Sequence, residues 1–277
     1  MRPDTHDTAA RNSGAQASAA LEVAVLVSVG RHPVTGRARR ADQDARGVEL
    51  ALALSEARVT LLHAGSLDEE SESAMRGYLG MGLPALTLVE QPPGADVVPA
   101  LADTLSDAQP QLVIAGERAE QGEGSGMLPY LLAERLGWPL VSGLAAVEKV
   151  ENGVATLLQA LPRGQRRRLQ VRLPAIVSVD AAAAAARQSA FGPARRGEIE
   201  VQPAAVEWDE AQAEWSVAPA RKRPKRLKIV KAASARDRFK AAAAKAEGAG
   251  GQVLTDVTPE QGAEAILKLL KEEGVLR

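Results

Sequence analysis

Apolar residues in the first half of the chain fall into short runs that alternate with stretches of helical spacing. EVAVLVSVG (22–30) is a nearly continuous β-branched run, as expected of a strand covered on both faces. DARGVELALALSEA (44–57) then spaces Val48, Leu50, Ala51 and Leu54 for a helix, and RVTLLHAG (58–65) reads as a second strand. DEESESAMRGYLGMG (68–82) opens on acids, which helix N-termini favour, and ends on glycines. ALTLVE (85–90) is a third strand, DVVPALADTLSDA (96–108) a helix and QLVIAG (111–116) a fourth strand. A glycine-rich turn and a helix through Leu136 follow, with LVSG (140–143) as a further strand. Alternation with short links predicts a doubly wound α/β domain on a mostly parallel sheet, whose ligands sit beyond the carboxyl ends of the strands. Gly30, Gly65 and Gly116 fall at those ends.

The texture changes after residue 143. VEKVENGVATLLQAL contains Asn-Gly between alternating segments, a hairpin signal, so 144–180 reads as a small antiparallel extension closing on the apolar strand LPAIVSVD. Past Asp180 the periodicity fades, and the prolines and glycines of 181–226 predict an extended arm that meets a partner. The last segment has clear helix punctuation. Thr258 is an N-cap, Pro259 stands at the first helical position, Gln261 completes a capping box and Gly274 ends the helix. Ala263, Ile266, Leu267 and Leu270 make one apolar stripe. The resulting divisions are a disordered leader (1–20), an α/β domain (21–180), an arm and linker (181–257) and an amphipathic helix (258–277).

Composition narrows the chemistry. The 277 residues include no cysteine, which removes thiol catalysis, disulfides and cysteine-held metal clusters, and the three histidines argue against a histidine-rich metal centre. A formal net charge of −1 speaks against nucleic acid as a partner. The basic runs GQRRRLQVR and RKRPKRLK have no interleaved aromatics to stack bases, and they read as solvated faces or a linker. No apolar run is long enough to span a membrane, and residues 1–20 lack a secretory apolar stretch, so a cytoplasmic location is expected. Asp42, Asp44 and Glu49 read as charges complementing a helix N-terminus. His32 and His63 fall at strand ends, without a nucleophile or second group at a spacing suited to acid–base work.

The turn in GERAEQGEGSGMLPYLLAERLGWP (116–139) follows a strand and opens a helix, the geometry that holds phosphates, although a flexible loop has the same composition. Gly124, Ser125 and Gly126 are small enough for backbone amides to approach an anion.

Taken in order, LPAIVSVD, the arm with Arg187 and the pair Arg195–Arg196, VTLLHAG, AMRGYLGMG, LVIAGERA and LAERLGWP resemble the β subunit of electron transfer flavoprotein, from about residue 22 onward. The resemblance implies an adenine-nucleotide α-hydrolase-like sheet and no catalytic residues of its own. It implies an α-subunit partner that holds most of an FAD, a flavin-dependent dehydrogenase that delivers electrons, and an electron-accepting oxidoreductase that takes them. It also implies AMP in the β domain, with Ser28, Ala64, Gly65, Gly116 and Ala119 as matching positions, joined by Gly124, Ser125 and Gly126. His32 lies in the loop that would face the flavin. Phe191 aligns with an apolar anchor for the dehydrogenase, flanked by Arg187, Arg195 and Arg196 on the arm. Departures are present too. Met127 and Pro129 replace a glutamine and a glycine, and Pro129 lacks an amide donor. Ala41-Asp42-Gln43 replaces Asn-Pro-Phe, and Thr35 replaces a tyrosine. AMP, a second FAD or no nucleotide therefore remain open for that site. The same sheet also serves stand-alone adenine-nucleotide sensors, which would need no partner arm.

Overall fold

A computed structural model describes residues 20–122, 124–216, 218–219, 234–236 and 254–272. Residues 1–19, Gly274 and the whole of the second basic run (221–228) lie outside the described residues. The chain divides into two compact units, Met1–Glu214 and Trp215–Arg277.

In the first unit β1 (Leu21–Leu26) leads into a small hairpin, β2 (Val29–Arg31) and β3 (Ala38–Arg40), and then α1 (Asp42–Leu52). Next come β4 (Ala57–Gly65), α2 (Glu69–Leu79), β5 (Ala85–Glu90), the two-residue β6 (Ala95–Asp96) and α3 (Val97–Ala108). They are followed by β7 (Leu112–Gly116), α4 (Leu128–Leu136), β8 (Leu140–Glu151), β9 (Val154–Ala160), β10 (Arg166–Arg172) and β11 (Ala175–Val179). The unit closes with α5 (Phe191–Arg196), β12 (Glu198–Pro203), β13 (Glu207–Trp208) and α6 (Glu210–Ala213).

Nine strands form one sheet in the order β10-β9-β8-β11-β7-β1-β4-β5-β12. It is parallel from β8 to β12 and antiparallel through β8, β9 and β10. This is the mostly parallel sheet with an antiparallel extension that the pattern predicts. Alternate residues of β1 enter opposite cores. Val23 and Val25 join α1 and α2 on one face, and Ala24 and Leu26 join α3 and α4 on the other. Asn152 and Gly153 take left-handed φ values of 51° and 72° in the tight turn between β8 and β9, as Asn-Gly hairpins do. From β1 the chain winds outward through β4 and β5, then returns to β7 on the other side. The carboxyl edge between β1 and β7 is therefore the topological switch point.

Beyond Asp180 the unit has elements that the faded periodicity does not announce. β12 adds to β5 in parallel, from Glu198↔Ala85 to Pro203↔Glu90. Its ladder is made by backbone groups, while Ile199 is its one half-buried side chain, so hydrophobic alternation has little to report. α5 lies on α2, where a Cβ on Gly197 would stand 2.9 Å from Leu79 Cβ and Cδ1.

In the second unit α7 (Pro259–Glu272) carries the expected capping box. Thr258 N donates to Gln261 Oε1 at 3.1 Å, and Gln261 N donates to Thr258 Oγ1 at 3.4 Å.

Candidate functional site

At the switch point the first turn of α1 delivers Asp44 beneath the ends of β1 and β7. Asp44 is 4% exposed, and its Oδ2 accepts from Ser28 N at 2.7 Å and Ser28 Oγ at 2.6 Å. The Gly116 amide donates to the same carboxylate. A Cβ on Gly116 would collide with Asp44 Oδ1, so only glycine lets β7 end this close to the acid. Burial raises the Asp44 carboxyl to about 6, against the lowering effect of the Ser28 bonds.

Tyr78, fully buried on α2, completes this group. Its hydroxyl donates to Ser28 O at 2.8 Å and accepts from Ala41 N at 2.7 Å. Burial pushes the phenol well above its ordinary range, so it remains protonated and available as a donor.

A second carboxylate closes the mouth. Glu120, on the turn after β7, accepts from Arg31 N and Asp42 N at 2.9 Å each. Arg39 Nη2 bonds both of its oxygens, at 3.1 and 3.0 Å. Gln121 Nε2 donates to Val29 O at 3.1 Å, which ties the turn to the hairpin. One strand away, burial lowers the His63 pKa and keeps the ring neutral, and its Nδ1–H donates to Val27 O at 2.8 Å.

The structure brings Ser28 and Gly116 together through Asp44. Ala64 and Gly65 end the neighbouring β4, and Ala119 lies exposed on the turn. Gly124 and Gly126 take left-handed φ values of 63° and 76° around Ser125, whose Oγ accepts from Met127 N at 3.3 Å. His32 is at the base of the hairpin loop, where Nδ1 accepts from Val34 N and Thr35 N at 3.3 and 3.2 Å, leaving Nε2 for any outside partner.

On the arm, Arg187 forks onto Glu49 with Nε at 2.8 Å and Nη2 at 2.9 Å, and its amide adds a third bond at 3.0 Å. That pairing holds Glu49 below the usual carboxylate range. Phe191 is 80% exposed at the start of α5, with Arg195 and Arg196 exposed at its end.

Asp44, Tyr78, Glu120 and Arg39 are absent from the candidates that sequence supplies. Asp44 has a readable sign, since it shares helical spacing with the buried Val48 and Ala51, and an acid on an apolar stripe is a buried acid. Glu120 has none, because its partners lie more than seventy residues away. Among the described residues no cluster of acids and histidines could hold a metal, and no helix is long and apolar enough to cross a membrane.

A family model described as "Electron transfer flavoprotein domain" matches residues 25–207. The electron transfer flavoprotein subunit beta of Chromohalobacter salexigens is 74% identical over 258 residues, covering 93% of this chain and 97% of that protein. The protein of the same name from Syntrophomonas wolfei is 33% identical over 142 residues, covering 49% of this chain and 54% of that one.

Proposed function

Since the chain belongs to the electron transfer flavoprotein β-subunit family, we propose that it works as the β half of a cytoplasmic heterodimeric electron carrier. FAD, held mostly by the α subunit, supplies the redox chemistry, and this chain shapes one wall of its surroundings. The wall is the β2–β3 hairpin, where Val34 is exposed and His32 retains a free Nε2. The arm recruits a flavin-dependent dehydrogenase, and an electron-accepting oxidoreductase removes the electrons. One observation carries this reading beyond the family. Phe191 stands almost fully exposed on a short helix, with two exposed arginines one turn on and no polar role of its own. An aromatic beside arginines is the composition of an interface hot spot, and a chain with no use for such a residue would bury or replace it.

Co-production with an electron transfer flavoprotein α subunit tests the proposal. The expected product is a yellow heterodimer with one FAD per pair, which a cognate dehydrogenase reduces. A colourless pair, or a chain that stays monomeric in the presence of that subunit, would overturn it.

A further inference from the structure

We propose that Glu120 is a positioning residue for the flavin wall: its carboxylate ties the β2–β3 hairpin to the turn after β7 and so sets where the hairpin stands. This rests on the carrier reading above, from which the flavin-facing role of the hairpin comes, and it names the group that holds the wall in place.

The hairpin has little of its own to fix it. β2 and β3 share the rungs Val29↔Arg40, Gly30↔Arg39 and Arg31↔Ala38, and of the residues from Val29 to Arg40 only Gly30 is buried. A two-stranded ribbon without an apolar face is marginal in water, so its place has to come from ties to its neighbours. On one side β3 rests on α2, where a Cβ on Gly77 would lie 3.5 Å from Arg40 Cβ. Arg31 also forks onto Glu70 of α2, but both side chains are exposed, and such pairs contribute little.

On the other side three elements meet on one carboxylate. Glu120 Oε2 accepts from Arg31 N of β2 at 2.9 Å and from Arg39 Nη2 of β3 at 3.0 Å. Its Oε1 accepts from the same Arg39 nitrogen at 3.1 Å and from Asp42 N, the first amide of α1, at 2.9 Å. These are charge-assisted bonds to a side chain only 27% exposed, stronger than neutral ones. Gly30 lets the carboxylate in, since a Cβ there would lie 2.8 Å from Glu120 Oε2 and 2.6 Å from Ala41 Cα. The same turn adds two neutral ties, Gln121 Nε2 to Val29 O at 3.1 Å and Arg118 N to Gln43 Oε1 at 3.3 Å. Without Glu120, water can satisfy the freed donors at this exposed mouth, but water holds no fixed position. Its loss therefore loosens the hairpin rather than unfolding the domain.

The test compares Glu120→Gln with the wild type in the heterodimer with an electron transfer flavoprotein α subunit. Glu148→Ala serves as the control, because Glu148 takes a comparable fork from Arg168 on the antiparallel extension with its side chain 30% exposed. Glutamine keeps the volume, but it loses the charge and one accepting atom. Hydrogen exchange across residues 29–42 is expected to quicken about tenfold, in the hairpin's own ladder as well as at Arg31 N and Asp42 N. FAD content per pair stays that of the wild type, while the flavin's visible absorption band shifts and iodide quenches its fluorescence more strongly. Glu148→Ala changes neither reading. Unchanged exchange over 29–42 in Glu120→Gln would overturn the proposal, as would quicker exchange beside an unaltered flavin. Equal effects from Glu148→Ala would also overturn it. If Glu120→Gln does not accumulate, Glu120→Asp, which keeps the charge but falls short of its partners, is read in the same way. A wild-type pair without FAD overturns the carrier reading and the flavin half of the proposal with it, and exchange alone then decides whether Glu120 holds the hairpin.

Discussion

The switch point and the arm lie in the same unit yet are built in opposite ways. Around Ser28, Asp44 from α1 and Tyr78 from α2 are buried and take donors from other elements, and Glu120, from the turn after β7, does the same at the exposed mouth. From Arg187 to Gly197, before β12 joins the sheet, the chain is held by separate polar pins at the surface. These include Arg187 to Glu49, Ala190 N to Gly80 O at 2.8 Å, and Arg76 Nη1 to Ala194 O at 3.2 Å. Between the pins Phe191 faces solvent, as does Trp208 beyond β12. Burial with full pairing makes a rigid closed site, and pinning without burial makes a surface that holds its place while leaving apolar groups free to meet something else.

The two regions also answer acid with opposite signs. Asp44, raised by burial from an ordinary value near 4 to about 6, takes up a proton in the folded chain before it does in the unfolded one. Its contribution to stability is complete below about pH 4 and is lost as pH rises through 6. Glu49, lowered by the Arg187 fork, contributes above its ordinary value near 4.5, and that contribution is lost as pH falls through its depressed folded value. Mild acid therefore favours the buried acid's site, and stronger acid releases the arm.

The largest effect that would break this contrast is Asp44→Ala. It strands the Ser28 and Gly116 donors and should cost about 2–4 kcal/mol in urea unfolding at neutral pH. A loss below 1 kcal/mol would mean that the closed site is not closed. Next, the stability difference between the wild type and Asp44→Asn should grow in favour of the wild type as pH falls from 8 to 4. The total change is up to about 3 kcal/mol, from a shift of about two units at 1.36 kcal/mol each. A flat difference would show that the acid titrates normally. Arg187→Ala removes a surface pin, so global stability should fall by about 1 kcal/mol or less, while limited proteolysis between 181 and 197 accelerates several-fold. Equal cleavage in both proteins would count against the pin. Smallest in stability is Phe191→Ala, expected within about 0.5 kcal/mol of the wild type. The same change should slow reduction by the dehydrogenase at least tenfold with FAD content intact, and unchanged kinetics would remove Phe191 from the interface.

Apart from the short β2, β3 and β6, the strands and helices up to residue 143 can be read from the chain because each buries a stripe or a run, and burial leaves a periodic trace. The hairpin at Asn152-Gly153 and the capping box at Thr258 can be read because their chemistry is local. β12, α5 and the β2–β3 hairpin are held by backbone pairing and close approach, which select few side chains. The site divides in the same way. Ser28 and Gly116 follow from strand ends, but Asp44, read as a charge complementing a helix dipole, proves to be a buried acceptor. Glu49, read likewise, proves to be the arm's anchor. Both outcomes depend on partners distant in sequence.

The placement of β12 has a consequence for how the protein is made. The outermost rung of the sheet comes from residues 198–203, laid along β5. During synthesis, the exposed rim of β5 stays unsealed until some two hundred residues have left the ribosome, and an uncovered rim invites pairing with other nascent chains. The stretch that would greet a redox partner is thus also the last plank of the hull, and a truncation that spares every earlier element would still leave it open.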